Sequence, residues 1–181
     1  MHSSIKPFQI DIPQKELDRL AERLEQTRWP DSETGNDWDQ GVPLDYAKSL
    51  ADYWLKEYDW RRCEKLLNGW SNFTTTIDDI DIHFIHRTSS HQNALPIIIS
   101  HGWPGSIIEF HKVIDALADP KKYGGESEDA FHVVIPSLPG YGFSGKPKNC
   151  GTSVQKIGQM WGKLMDRLGY EKYVAQGGDW G

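Results

Sequence analysis

From residue 95 onward the chain repeats one pattern, in which a short apolar run is followed by a turn rich in glycine. The apolar runs cover residues 95–100, 131–136 and 173–176, and apolar residues at helical spacing separate them. Unbroken apolar runs of this length are typical of strands that are buried on both faces of a parallel sheet. Strands that alternate with helices predict an α/β fold with a largely parallel sheet.

Residues 1–70 carry a different pattern, which predicts helices. Three groups of apolar residues at helical spacing predict three helices after a short extended lead-in. The first helix is expected to end near Trp29-Pro30, because a residue before proline disfavours the helical conformation. Residues 31–42 are rich in Asp, Gly, Ser and Asn, which predicts a loop. We therefore expect a helical N-terminal extension over residues 1–70.

Residues 71–181 are expected to form the first part of the α/β core. Alternating apolar residues on either side of Asp78-Asp79 predict a strand pair with a tight turn. One helix is predicted from Ile107 to Leu117 and another from Val154 to Leu168. A capping box that opens with Thr152 is predicted to start the second helix.

Two glycine-rich turns follow predicted strands and are the candidate functional segments. The first is His101-Gly102-Trp103-Pro104-Gly105-Ser106, and the second is Gly177-Gly178-Asp179-Trp180-Gly181. Ligands of open α/β sheets bind at the carboxyl ends of the strands, where both turns are expected. Gly177 and Gly181 lie two residues on either side of Asp179, which is the spacing of a nucleophile elbow between a strand and a helix.

Asp179 at the tip of such an elbow predicts covalent catalysis by a carboxylate. A carboxylate is ionised at neutral pH, so it needs no base for its first attack, but its target must carry a good or activated leaving group. A strained ether or a carbon–halogen bond fits, and the product is an ester that water must hydrolyse through an oxyanion. The backbone N–H groups of Trp103 and Trp180 are candidate oxyanion donors. Alternatively, Asp179 only caps the next helix, a role that aspartate favours.

Other motifs favour structural roles. His101 ends a predicted strand just before a turn, which favours a structural hydrogen bond over proton transfer. His83 and His86 lie in an alternating strand without the further ligands that a metal site needs. The segment 139–144 is rich in glycine, but it lacks the Lys-Ser/Thr ending of a phosphate loop and is interpreted as a tight loop beside the active site.

Composition excludes several classes of protein. The formal net charge of -6 argues against a nucleic-acid-binding surface. No apolar run approaches the roughly 18 residues of a membrane-spanning helix, and Met1 to Asp11 lacks the apolar stretch of a signal peptide. Cys63 and Cys150 are too few for a disulfide framework and have no metal-ligand spacing around them. A cytoplasmic protein is therefore expected.

The order of motifs resembles one enzyme family. Arg28-Trp29-Pro30-Asp31 lies in the helical part, Ile80-Asp81-Ile82-His83-Phe84-Ile85-His86 in a predicted strand, and Pro136-Ser137-Leu138-Pro139-Gly140-Tyr141-Gly142-Phe143-Ser144 after a later one. Together with the two glycine-rich turns, they make the chain similar to the N-terminal part of an epoxide hydrolase of the microsomal type, including its soluble fungal and bacterial relatives.

The resemblance implies an α/β-hydrolase fold of which this chain holds part, preceded by the helical extension, which in the family wraps around the core and cap. It implies that Asp179 is the nucleophile that opens a small-molecule epoxide, and that Trp103 and Trp180 are the oxyanion-hole positions. It also implies that no metal or organic cofactor is used.

In the family, two cap tyrosines and a later acid and histidine complete the reaction, and none of these can be assigned before Gly181. We expect that the full-length parent is an epoxide hydrolase and that the chain as written does not turn over. The last strand is expected to leave an unpaired edge, which favours aggregation or association, for instance as a homo-oligomer.

Two rival functions remain open. A haloalkane dehalogenase resembles this pattern, because it also uses an aspartate nucleophile followed by tryptophan. The helical extension and the Trp103-Pro104 turn favour an epoxide. A non-catalytic interaction module with a tryptophan-rich surface is the rival from another class, whereas a serine esterase is disfavoured because Asp179 occupies the elbow tip.

Overall fold

The computed structural model describes residues 4–35 and 38–181, which divide into two compact units. The helical unit is Ile10–Lys65. The sheet unit contains Leu66–Gly181 and also the segment that ends at Gln9. The first strand of the sheet therefore precedes the helical unit in the chain. The division into an N-terminal extension over residues 1–70 and an α/β core over residues 71–181 stays a prediction.

Helices dominate the helical unit, as the apolar spacing predicts. Helix α1 is Gln14–Glu25, α2 is Leu44–Lys56, and α3 begins in this unit and spans Trp60–Asn68. Helix α1 ends before the predicted Trp29-Pro30 boundary. The hydroxyl of Thr27 donates to the carbonyl of Arg23 at 3.1 Å, and such side-chain bonds compete with the helical ladder. Of the predicted loop 31–42, Asn36 and Asp37 lie outside the described residues, as do residues 1–3 of the predicted N-terminal extension.

Within the described residues, six strands form one mixed sheet in the order β1-β2-β3-β5-β4-β6. The strands are β1 Lys6–Phe8, β2 Asn72–Ile77, β3 Ile80–Arg87, β4 Leu95–Ser100, β5 Phe131–Pro136 and β6 Val174–Gly177. Strand β4 pairs in parallel with both β5 and β6. Strand β2 runs in the same direction as these three, since two antiparallel pairings through β3 separate it from β5. Four of the six strands thus point the same way, and the parallel part carries both candidate turns.

The strand pair β2–β3 forms as predicted. Its turn residues, Asp78 and Asp79, have φ values of 49° and 62°. Positive φ at both central positions is the conformation that two-residue hairpin turns favour, and aspartate tolerates it better than most residues.

The predicted helix from Ile107 to Leu117 is wrong as a single element. The structure has a 3-10 turn at Ile107–Phe110 and a separate short helix α4 at Ile114–Ala118. The ring Nδ1 of His111 donates to the carbonyl of Ile108 at 2.8 Å, which takes that oxygen out of a continuous helical ladder. The apolar spacing still indicates burial correctly, because Ile107 and Ile114 are both buried.

Helix α5, Val154–Arg167, forms as predicted, but its N-cap is Ser153 rather than Thr152. The hydroxyl of Ser153 accepts a hydrogen bond from the N–H of Lys156 at 3.3 Å. The helix packs on the sheet through the main hydrophobic cluster, in which Met160, Leu164 and Met165 are fully buried. The same cluster contains Ile98 of β4 and Val134 of β5, so helix α5 packs against the sheet from which the two turns extend.

Candidate active site

The two glycine-rich turns lie side by side because the strands before them are neighbours. Strands β4 and β6 pair in parallel, with Ser100 opposite Gly177 as the last residue of each. The chain therefore leaves the sheet at the same edge in both places, and the turns that begin at His101 and Gly178 are brought together.

The second turn is a tight elbow with Asp179 at its apex. The N–H of Gly181 donates to the carbonyl of Gly178 at 2.8 Å, which closes the turn. Asp179 has a φ of 56°, in the left-handed region that few non-glycine residues occupy. Backbone strain of this kind costs on the order of 1–3 kcal/mol and clusters at functional sites.

The two outer glycines of the elbow are required by close packing. A Cβ atom on Gly177 would collide with the backbone of Gly181, and one on Gly181 would collide with the carbonyl oxygen of Ser100. The structure thus gives a physical reason for the predicted Gly-x-Asp-x-Gly spacing. A side chain at Gly177 would force the elbow itself open, and one at Gly181 would force the elbow away from β4.

The carboxylate of Asp179 contacts the first turn directly. The backbone N–H of Trp103 donates to Oδ1 of Asp179 at 2.9 Å. Gly102 lies so close that a Cβ atom there would be 2.5 Å from Cβ of Asp179. Trp103, one of the two predicted oxyanion donors, is therefore within hydrogen-bonding distance of the predicted nucleophile. Trp180 follows Asp179 in the elbow, and its role as the second donor stays a prediction.

A cavity of about 320 Å³ opens beside Asp179. Its walls come from both turns and from the segment that follows the first turn. The residues that line it are Ser100, Gly102, Trp103, Pro104, Gly105, Glu109, Phe110, Gln176, Gly178 and Asp179. A space of this size suits a small molecule and lies within the range of known ligand pockets.

A capping box that the sequence interpretation missed supports one wall of this cavity. Oε1 of Glu109 accepts a hydrogen bond from the N–H of Ser106 at 3.0 Å, and the Ser106 hydroxyl accepts from Ile108. The Ser-x-x-Glu spacing at 106–109 is the sequence signal that could have revealed it. The box fixes the start of the 3-10 turn directly after the Trp103-Pro104 segment.

His101 has the structural role that its position predicts. It is 1% exposed, and both ring nitrogens contact backbone groups, the carbonyl of Gly102 at 3.0 Å and the N–H of Leu138 at 3.1 Å. The ring also packs edge-on against Tyr141, with the ring centres 5.5 Å apart. The loop predicted beside the active site therefore contacts the first turn through His101.

His83 is buried and His86 is half-buried, and both lie in strand β3 of the sheet unit. The ring of His83 contacts the Ser137 hydroxyl and the Asn72 side chain, each at 3.0 Å, and burial lowers its pKa to about 4. Burial, with a smaller contribution from His132, also lowers the pKa of His86 to about 4. No group of three metal-binding side chains occurs among the described residues.

The sheet order, the strand-end elbow and the paired turns are those of an α/β hydrolase. The family model described as "alpha/beta hydrolase fold" matches residues 96–181. A second model, described as "Epoxide hydrolase N terminus", matches residues 5–110. The chain therefore belongs to the epoxide hydrolase family, and the resemblance found in the sequence is confirmed.

Relatives that are named as epoxide hydrolases match almost the whole chain. A "Putative epoxide hydrolase" of Stigmatella aurantiaca is 55% identical over 98% of this chain and 40% of its own length. "Epoxide hydrolase 1" of Oryctolagus cuniculus is 37% identical over the same shares. Among solved structures, the Aspergillus niger epoxide hydrolase is similar with a TM-score of 0.86 and 34% identity, over 98% of this chain and 47% of that one. The chain thus spans about two fifths of the curated relatives it matches.

None of the helices within residues 4–35 and 38–181 is both long and apolar enough to cross a membrane.

Proposed function

We propose that the whole protein is an epoxide hydrolase and that this chain supplies its nucleophile, Asp179, and its oxyanion donors. One observation carries the proposal. The carboxylate stands at the apex of a strained elbow and already accepts the backbone N–H of Trp103 at 2.9 Å. A helix cap would need no such partner from another turn, so the alternative role of Asp179 is disfavoured.

In the first step, one oxygen of Asp179 attacks a ring carbon of the epoxide. The carbon–oxygen bond of the strained ring breaks, an ester bond forms to Asp179, and the electron pair stays on the departing oxygen. That alkoxide takes a proton from an acid, which the family resemblance assigns to tyrosines outside residues 1–181. Acid assistance of this kind is typically worth 10²–10⁴-fold in rate.

The hydrogen bond from Trp103 distinguishes the two carboxylate oxygens of Asp179 and suggests a different role for each. Oδ1 is held by the N–H, so Oδ2 is the oxygen we assign to the attack. In the second step a base takes a proton from water, the water oxygen adds to the ester carbon, and negative charge develops on the oxygen beside the Trp103 N–H. The family resemblance assigns that base to a histidine outside residues 1–181, and the proton passes to the departing alcohol oxygen when the intermediate collapses. The N–H of Trp180 is proposed as the second donor. Collapse of the intermediate then releases a diol and restores the carboxylate.

The proposed substrate class is a small epoxide. The cavity beside Asp179 has a size that suits such a molecule, and the relatives are named as epoxide hydrolases. One structural relative is named as the juvenile hormone epoxide hydrolase of the silkworm Bombyx mori.

Intact-protein mass spectrometry after incubation with styrene oxide tests the proposal. The chain should gain one substrate mass, and the Asp179→Asn variant should not, because an amide is a poor nucleophile. Asp166→Asn, which removes an exposed carboxylate of α5, is the matched control and should still form the adduct.

A chain that folds, as shown by circular dichroism, and forms no adduct would contradict the proposal. An adduct with 1-bromobutane but not with styrene oxide would instead favour a haloalkane dehalogenase.

We also propose a cytoplasmic location and association between copies. Among the described strands β6 pairs only with β4, and Val174 in it is 39% exposed. An open strand edge of this kind is a template for pairing with another chain. Sedimentation velocity of the chain tests the association, and fractionation of the source cells tests the location.

A further inference from the structure

The imidazole of His101 joins two backbone groups from different segments. Its Nε2 faces the N–H of Leu138 at 3.1 Å, after strand β5, and its Nδ1 faces the carbonyl of Gly102 at 3.0 Å, after strand β4. The ring is buried, so water does not replace either partner.

The two partners determine which nitrogen of His101 carries the proton. A backbone N–H can only donate, so Nε2 must accept from Leu138 and is unprotonated. A backbone carbonyl can only accept, so Nδ1 carries the hydrogen and donates it to Gly102. The ring is therefore held as one defined neutral tautomer, with both nitrogens in hydrogen bonds of the correct polarity.

The carbonyl that His101 holds belongs to the same peptide group as the oxyanion donor. Gly102 C=O and Trp103 N–H are the two ends of one planar amide, and in a trans peptide they point in opposite directions. A hydrogen bond that fixes the carbonyl on one side therefore fixes the N–H on the other, where Oδ1 of Asp179 accepts it at 2.9 Å.

The Gly102 carbonyl is held from two sides, because the N–H of Gly105 also donates to it at 3.0 Å. The Gly105 bond closes the turn, and the bond from the buried His101 ring adds a second constraint on a peptide that follows a glycine. Gly102 has no Cβ, and a Cβ there would collide with Asp179, so the position that must be glycine is also the one that rotates most freely. A flip of the peptide would turn the Gly102 carbonyl oxygen toward the carboxylate of Asp179, and the donor would be lost.

We propose that His101 is a positioning residue that orients the Gly102–Trp103 peptide so that its N–H serves the developing oxyanion. This inference rests on the proposed function, because it concerns the Trp103 N–H in its proposed role as an oxyanion donor. Both ring nitrogens bond to backbone groups, and the ring acts through the peptide.

The chemistry predicts a pair of variants with opposite outcomes. His101→Asn places an amide N–H near the position of Nδ1, so it can still donate to Gly102. His101→Gln places an amide near the position of Nε2, so it can accept from Leu138 but removes the donor that the imidazole supplies to Gly102. The N–H of Gly105 still donates to that carbonyl at 3.0 Å. His86→Phe is the control, because it removes a partly buried hydrogen bond, to Tyr170 at 2.9 Å, elsewhere in the sheet unit.

The first readout is the backbone amide of Trp103 in ¹H–¹⁵N NMR spectra of the chain, with Ile98 of strand β4 as internal reference. Relative to Ile98, exchange of the Trp103 amide with solvent should be at least about tenfold faster in His101→Gln. It should stay near the wild-type value in His101→Asn and His86→Phe. Equal exchange in the Asn and Gln variants would overturn the proposal, and a role in stability alone would change both amides together.

The second readout is the lifetime of the styrene oxide adduct, followed by mass spectrometry after the epoxide is removed and hydroxylamine is added. Hydroxylamine attacks the ester without the missing histidine and forms an oxyanion at the same position. Loss of one oxyanion donor typically costs about 10²–10³-fold, so the adduct of His101→Gln should decay at least tenfold more slowly than those of the wild type and His101→Asn. Equal decay in all three would overturn the proposal. If the wild type forms no adduct, the proposed function fails, while the amide readout still decides whether His101 orients the peptide.

Discussion

The indole N–H of Trp161 donates to the hydroxyl of Ser100 at 2.9 Å in the buried core. Ser100 is the last residue of β4 and lies directly before His101, so this bond ties helix α5 to the strand end that carries the first turn.

Removing this bond should destabilise the sheet unit and be detected by a double-mutant cycle. Trp161→Phe leaves the Ser100 hydroxyl without its donor, and Ser100→Ala leaves the indole N–H without its acceptor. Each change should lower the free energy of unfolding by about 1–3 kcal/mol, because a buried polar group loses its partner. The double variant should be more stable than the sum of the two predicts, as measured by urea unfolding. Strict additivity would contradict a direct bond.

Gly102→Ala should slow alkylation of Asp179 with little effect on the rest of the fold. The new Cβ would be 2.5 Å from Cβ of Asp179, which forces the carboxylate or the first turn to move. A displacement of about 1 Å can cost 10²-fold in rate, and we expect a loss of that order in adduct formation by mass spectrometry. Gly178→Ala is the matched control, since a Cβ there meets nothing within 4 Å. Equal rates in both variants would contradict this geometry.

His83 should make the fold sensitive to acid. Burial lowers its pKa from 6.5 to about 4, so the unfolded chain binds a proton at a higher pH than the folded chain does. The stabilisation is complete above pH 6.5 and is lost progressively as the pH falls toward 4. For this single group the loss between pH 7 and pH 4.5 is roughly 2–3 kcal/mol.

The test of this acid sensitivity is the free energy of unfolding in urea at the two pH values. The neighbours of the His83 ring are uncharged: Phe8, Asn72, Ser137 and Phe143. His83→Gln should therefore show a smaller loss than the wild type, because glutamine does not titrate. His86→Gln should reduce the loss independently, since the pKa of His86 is also lowered to about 4. An unchanged pH dependence in His83→Gln would contradict the prediction.

Asp78 should contribute to stability through charge as well as through its turn. Lys156 and Lys163 of α5 form ion pairs with its carboxylate, and their hydrogen bonds lower its pKa. Asp78→Asn keeps a residue that tolerates a φ of 49° but removes the charge. We expect a loss of about 1 kcal/mol at low salt that shrinks in 1 M NaCl, because surface ion pairs are weak and screened. Asp79→Asn, at the other left-handed position of the turn, is the control and should show less salt dependence.

Much of the sheet unit could be predicted because its strands are short apolar runs with clear ends. The runs at 95–100 and 131–136 are strands β4 and β5 with those bounds. Helix details were less predictable. The break after Phe110 depends on a side-chain bond of His111, and the cap at Ser153 depends on which of two adjacent hydroxyls reaches the helix. Both are choices between local hydrogen bonds of similar energy, which apolar spacing does not report.

The sequence alone predicted the chemical character of the site. A glycine two residues on either side of Asp179, and a second glycine-rich turn after another strand, indicated a carboxylate nucleophile with backbone donors before any geometry was known. Those positions are local, because an elbow needs small residues at fixed offsets and a strand end is marked by the end of an apolar run.

Only the tertiary structure decided how these parts meet. Trp103 and Asp179 are 76 residues apart, and their hydrogen bond exists because β4 and β6 are neighbours in the sheet. The contacts of His101 with Leu138 and of Trp161 with Ser100 likewise join segments that only the strand order brings together. Residue spacing along the chain encodes local turns and faces, whereas the orientation of a single peptide group depends on partners that folding supplies from a distance.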